Sequence, residues 1–176
     1  IPVDYDELME KVEEVEAEIF QEARSQRKRV PVISEHTEAE AGLNGMSRSE
    51  IEETVWAIAQ SEIIENDLDA RIQAVRVYGS RTRDGLYKED SDVDVVIAYE
   101  GTVREDDLFS ALNEAGYKVG NMRVDMNPIR PDKTGTLEDF LEKSERYLDE
   151  KTEQMKISGE YKPLAKVEEL EEANYN

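Results

Sequence analysis

Val77-Tyr78-Gly79-Ser80-Arg81, followed after a polar loop by Ser91-Asp92-Val93-Asp94-Val95-Val96-Ile97, is the stretch on which the reading of this chain turns. Ala74 to Tyr78 is β-branched and alternating, and Gly79-Ser80 opens a charged loop, so a strand, a turn and a loop are expected. Asp92 to Ala98 reads as a second strand with Val93, Val95 and Ile97 on one face. Side chains alternate along a strand, so Asp92 and Asp94 project the same way with α-carbons about 6.6 Å apart. Two like charges so close beside apolar residues are costly without a cation, and the pair can share a metal. A lone Asp-Val-Asp at a solvent-exposed sheet edge would be the plainer reading.

A third carboxylate changes the balance. Met122 to Ile129 reads as another strand, with Val124 and Met126 on one face and Arg123, Asp125 and Asn127 on the other, stopped by Pro128 and Pro131. Three aspartates on two strands can converge, and an all-oxygen donor set suits magnesium, with manganese as a substitute. Two such ions about 3.5 to 4 Å apart can stabilise both the attacking and the leaving oxygen of an in-line phosphoryl displacement. Gly79-Ser80 complements them, because glycine admits a phosphate close to the backbone and the turn exposes N–H donors. Arg81 and, less favourably placed, Arg83 could neutralise triphosphate charge, although solvation at the surface is the simpler role for either taken singly.

Outward from this centre, Asp4 to about Arg29 carries Leu8, Val12, Val15 and Ile19 at helical spacing, which predicts a long amphipathic helix with a basic end. That stripe fits either a helical homodimer or packing on the chain's own sheet. Val30 to Gly45 holds Pro31, Gly42, Gly45 and the single histidine, His36, and reads as a connector. Ser47 with Glu50 has the form of a capping box, and a helix to about Asn66 follows, with Trp56 near its apolar stripe. A short helix from about Asp107 to Ala115 precedes the third strand, and Thr136 with Asp139 opens a helix to about Ile157. The expected organisation is a helix and connector over 1–45, a compact domain over 46–158 and a polar tail over 159–176, in which Pro163 to Ala173 could form one short helix. The fold class is α+β, a small mixed sheet flanked by helices.

Composition narrows the chemistry. With 43 acidic and 22 basic residues the formal charge is −21, which disfavours nucleic acid as a partner and attracts divalent cations. There is no cysteine, so thiolate catalysis and zinc-thiolate sites are excluded, and one histidine cannot build a multi-histidine site. No long apolar run or export signal is present, so no membrane association is expected and the cytoplasm is the default location. The start at Ile1-Pro2 suggests a piece of a longer polypeptide.

The ordered combination Tyr78-Gly79-Ser80-Arg81, Asp92-Val93-Asp94 and Val124-Asp125-Met126-Asn127 resembles the polymerase-β-type nucleotidyltransferase superfamily, in particular its minimal nucleotidyltransferases, over about residues 47 to 130. The loop from Arg81 to Asp90 is slightly long for the commonest spacing. The resemblance implies that Gly79 and Ser80 hold the phosphates of a nucleoside triphosphate such as ATP, that Asp92 and Asp94 bind magnesium, and that Asp125 completes the site and helps activate the acceptor hydroxyl. It implies an enzyme that moves a nucleoside monophosphate to a protein or small-molecule acceptor and releases pyrophosphate. The alternative is a non-catalytic or antitoxin-like module that keeps the fold and binds a partner.

Overall fold

A computed structural model describes residues 4–27 and 30–163, the side chains of 19–29 excepted. The expected tail helix after Pro163 and the basic pair at 28–29 lie outside the described residues. The chain divides into two compact units, Ile1–Pro31 and Val32–Asn176. The first contains helix α1, Tyr5–Arg27. On it Leu8, Val12 and Val15 share one stripe and are all exposed.

The second unit is the body. Helix α2 spans Arg48–Glu65, and the Ser47 hydroxyl accepts from the Glu50 N–H at 3.1 Å, so the capping box forms as its sequence requires. Strand β1 (Arg71–Tyr78) pairs antiparallel with β2 (Val93–Glu100). Helix α3 (Glu105–Asn113) leads through a two-residue strand β3 (Lys118–Val119) to β4 (Met122–Ile129). Strands β2 and β4 run parallel, giving a mixed sheet in the order β1-β2-β4-β3. A short helix α4 (Pro131–Thr134) precedes α5 (Leu137–Ser158), which Thr136 caps by accepting from the Asp139 N–H at 3.2 Å. This is the expected α+β fold.

The two sheet faces are unequal. One face supplies Val75, Val77, Val93, Val95, Ile97, Val124 and Met126 to the main core, against Ile51, Val55 and Ala59 of α2 and Leu108 and Leu112 of α3. The other face buries a smaller set, Ala74, Val96, Ala98 and Ile129, under Leu137, Phe140 and Leu141 of α5. Asp94 and Asp125 stand on this second face.

Three expectations change. The body begins upstream of residue 46, because Val32 bridges to Ala74 and the Val75 N–H donates to the Val32 carbonyl at 3.1 Å. Strand β2 starts at Val93, which leaves Asp92 just ahead of it. Pro128 does not end β4, for it pairs in register with Ile97. Backbone N–H groups of successive residues point to opposite sides of a strand, so those two residues apart face the same side. The N–H of Met126 faces away from β2, and Pro128, two residues on, faces the same open edge, where its missing donor breaks no ladder bond.

Candidate active site

The backbone register builds the site. Tyr78 lies opposite Asp94 in the antiparallel pair, and Asp94 lies opposite Asp125 in the parallel one. Tyr78, Asp94 and Asp125 therefore form a row across three neighbouring strands on one sheet face. Asp92 stands two residues ahead of Asp94, off the ladder.

Burial of a carboxyl raises its affinity for a proton, and a nearby like charge raises it further. Burial, then Asp125, then Asp92 push the Asp94 carboxyl up to about 6. Burial and Asp92 raise that of Asp125, against a smaller pull from Arg123. Burial and the charge of Asp94 push the Tyr78 phenol up to about 12, so it keeps its proton at neutral pH as a neutral donor. Its ring meets Phe140 of α5 edge-on, with centroids 5.0 Å apart.

Among the described residues no lysine or arginine forms an ion pair with Asp92, Asp94 or Asp125. An oxygen-only set of uncompensated carboxylates fits the chemistry of a hard divalent cation. It is not a finished cage: among the described residues no three His, Asp or Glu side chains are grouped to hold a metal ion. The register puts Asp94 and Asp125 side by side, while Asp92 precedes the ladder.

Gly79 meets the site directly. Its φ of 87° belongs to a region that side-chain-bearing residues rarely adopt, and a β-carbon there would lie 2.2 Å from Asp94 Oδ2. The glycine thus lets the turn pass over the Asp94 carboxylate. Ser80 opens a single 3-10 turn to Thr82, closed by Arg83 N–H donating to the Ser80 carbonyl at 3.1 Å.

Arg81 does something other than expected. It is 2% exposed, and its guanidinium donates to the carbonyls of Ser91 at 2.7 Å, Gly42 at 2.9 Å and Glu89 at 2.7 Å. Its planar fork is spent on backbone acceptors, so it ties the connector and both ends of the loop together instead of facing a triphosphate. A β-carbon on Gly42 would press 2.1 Å from the Arg81 carbonyl oxygen, which explains a glycine in the connector. Arg83 is spent as well, bridging Glu145 at 2.6 Å and Asp149 at 2.7 Å on α5.

Three contributors were not singled out from the sequence. Glu52 of α2 is fully buried, and its carboxylate accepts from Ser34 N–H at 2.8 Å, Ser34 Oγ at 2.6 Å and Val77 N–H at 2.8 Å. The Asn113 side chain takes the Met126 N–H at 2.9 Å and donates to its carbonyl at 2.8 Å, acting as one residue of an absent neighbouring strand. The row is thus held at both outer edges by side chains, next to Tyr78 on one side and Asp125 on the other. Arg123 lies two residues before Asp125 on the same face, is exposed, and forms no ion pair among the described residues. The glycine turn, the strand alternation and the polar face of β4 were signals for the row. Nothing local signals a helix side chain that reaches a strand edge.

A mixed sheet bearing carboxylates beside a glycine-serine turn, with helices over both faces, is the build of a nucleotidyl-transferring domain. The chain matches the family of the nucleotidyltransferase domain over residues 60–174, well over half its length, and it belongs to that family. No curated protein and no solved structure matches it. Among the described residues no helix is long and apolar enough to cross a membrane.

Proposed function

We propose that this domain transfers a nucleoside monophosphate from a magnesium-bound nucleoside triphosphate to a hydroxyl of a protein or small-molecule acceptor. The observation that supports this most is the in-register pair Asp94 and Asp125 beside a turn whose glycine is spaced against Asp94 itself. Asp94 and Asp125 would hold the ion, with Asp92 completing the set from just ahead of the strand. When bound, the ion offsets negative charge on phosphate and carboxylates. The Gly79–Ser80 turn would offer N–H donors and a hydroxyl to the phosphates, and Arg123, exposed on the same strand face as Asp125, would take the role expected of Arg81.

In the reaction the acceptor oxygen forms a bond to the α-phosphorus while the bond from that phosphorus to the bridging oxygen of the β-phosphate breaks. Pyrophosphate carries away that electron pair. The acceptor proton would pass to the Asp125 carboxylate. Tyr78 stays protonated beside it and can donate to an oxygen of the transferring group.

Labelling tests the reading. With magnesium and a triphosphate labelled at the α-phosphate, label should appear on the acceptor, and γ-label should leave in pyrophosphate. In parallel, magnesium plus triphosphate should raise the melting temperature of the wild type, as binding to the folded state requires. γ-Label on the acceptor, or α-label transfer that survives Asp92→Asn with Asp94→Asn, would overturn it.

A further inference from the structure

The hairpin that joins β3 to β4 presses two cations together. Gly120 and Asn121 at its tip have φ of 55° and 65°, the two positive values of a type I′ turn, which fixes the register of the strands it joins. Asn44 anchors that tip, its amide donating to the Gly120 carbonyl at 2.8 Å. Lys118 stands opposite Arg123, and Val119 opposite Met122. Val119 and Met122 are buried in the main core, so Lys118 and Arg123 are exposed on the other face, that of Asp125. The Val124 N–H donates to the Tyr117 carbonyl at 3.0 Å, which leaves Lys118 and Arg123 as a pair without mutual backbone bonds, the closer of the two kinds. Their β-carbons are then about 4.5–5.5 Å apart, and like charges set so are destabilising. Arg48, Arg71, Arg83, Arg104 and Arg146 each find a carboxylate in this acidic chain, whereas among the described residues Lys118 and Arg123 form no ion pair.

We propose that this pair receives the phosphate group of a small acceptor, so that the hydroxyl taking the nucleotide belongs to a phosphate monoester such as a polyol phosphate. The inference rests on the nucleotidyl-transfer reading above, and sheet order supplies the direction. Gly79 carries the turn over Asp94 on β2, Asp125 follows on β4, and β3 lies beyond. The triphosphate approaches from the turn and the acceptor oxygen gives its proton to Asp125, so Lys118 stands on the acceptor's side. Neighbouring strands lie about 4.8 Å apart, so a phosphate at Lys118 is a few bonds from a hydroxyl at Asp125. Arg123 stands between the two substrates, and the N–H donors of its guanidinium let it meet an anion on each edge. Two cations match the double charge of a phosphate monoester better than the single charge of a carboxylate. At −21 the chain repels a polyanion over its surface, which favours a small acceptor with one phosphate over the end of a nucleic acid. The bonds made and broken are those of the transfer already described, and the acceptor's phosphate takes no part in them.

Nuclear magnetic resonance on the full chain reads the pair directly. Inorganic phosphate is titrated at constant ionic strength, with and without magnesium and a non-hydrolysable triphosphate, while the backbone amides at 118 and 123 and the Arg123 Nε–H are followed. Phosphate should saturate these signals in both states. Lys118→Ala, a change at an exposed position that leaves the body folded, should weaken phosphate binding at least about tenfold, the worth of one hydrogen bond to a charged group. Its affinity for the triphosphate should be unchanged. Glycerol phosphate should bind at least as tightly as inorganic phosphate, and a short oligonucleotide more weakly than either. Signals that do not saturate, or a Lys118→Ala chain that keeps its phosphate affinity, overturn the site. Competition between phosphate and the triphosphate gives the pair to the triphosphate tail and overturns the acceptor. An oligonucleotide that binds more tightly than glycerol phosphate overturns the small acceptor. A wild type that takes phosphate at the pair yet binds no triphosphate overturns the nucleotidyl-transfer reading instead, and the anion site stands.

Discussion

The Asp94 carboxyl carries a cost that its neighbours impose. Its folded-state value is raised from 3.8 to about 6, so folding favours the protonated form. That favour is complete below about pH 4 and lost as the pH rises through about 6. In chelator, the melting temperature of the wild type should therefore fall between pH 5 and pH 7.5 by more than that of Asp94→Asn. At pH 7.5 the variant should be the more stable protein and should gain nothing from magnesium plus triphosphate. A wild type and variant with parallel pH profiles would remove the electrostatic account of the site. Gly79 makes the complementary case, because its φ of 87° and its closeness to Asp94 Oδ2 each oppose a side chain. Backbone strain of this kind costs about 1–3 kcal/mol, and the contact adds to it. Gly79→Ala should lower stability by at least that amount in denaturant titration, and Gly79→Ala combined with Asp94→Gly should recover part of the loss without recovering nucleotide binding.

At the scale of elements, the sheet edges decide how well the row is held. Removing the Asn113 amide leaves the Met126 N–H and carbonyl without partners in a partly buried position, and each such group costs about 1–3 kcal/mol. Asn113→Ala should thus destabilise by about 2–6 kcal/mol, and amide exchange should quicken first at Met126, next to Asp125. Uniform quickening across the body would mean that Asn113 supports the fold generally and not this edge. The same contrast explains what the sequence made legible. Asp94 and Asp125 were readable as facing one way because a strand alternates its faces, whereas Asp92 lies just ahead of β2 and falls outside that rule. Ser47 and Thr136 were readable because a cap bonds three residues onward. Arg81 was misread for a physical reason: its charge was visible, but the three carbonyls that absorb it come from Gly42, Glu89 and Ser91. Glu52 and Asn113 were missed likewise, since their acceptors and donors are set by how helices cross the sheet. The extension of the body back to Val32 rests on its bridge to Ala74 and on the bonds of Ser34 to Glu52 and of Gly42 to Arg81, none of which the composition of a connector reveals.

Over the whole molecule, 43 acidic residues set against 22 basic ones create a field that acts on every equilibrium the site takes part in. Self-repulsion at −21 opposes compactness, and salt relieves it by screening. Raising sodium chloride should therefore raise the melting temperature of the wild type and of Asp92→Asn with Asp94→Asn alike. Divalent ions act twice, through the same screening and through any defined site, so stabilisation by magnesium in low salt says little about Asp94. The two effects part at matched ionic strength, where diffuse screening changes little between sodium and magnesium chlorides while a bound ion adds a saturating increment. With triphosphate present and ionic strength held at a physiological value, magnesium should give the wild type a further rise that saturates and the double variant none. If both proteins gain equally, the ion is held by the field of the whole chain and the carboxylate row is not its site. If the wild type alone gains, the increment against ion concentration yields the affinity of the row itself, already separated from the charge that surrounds it.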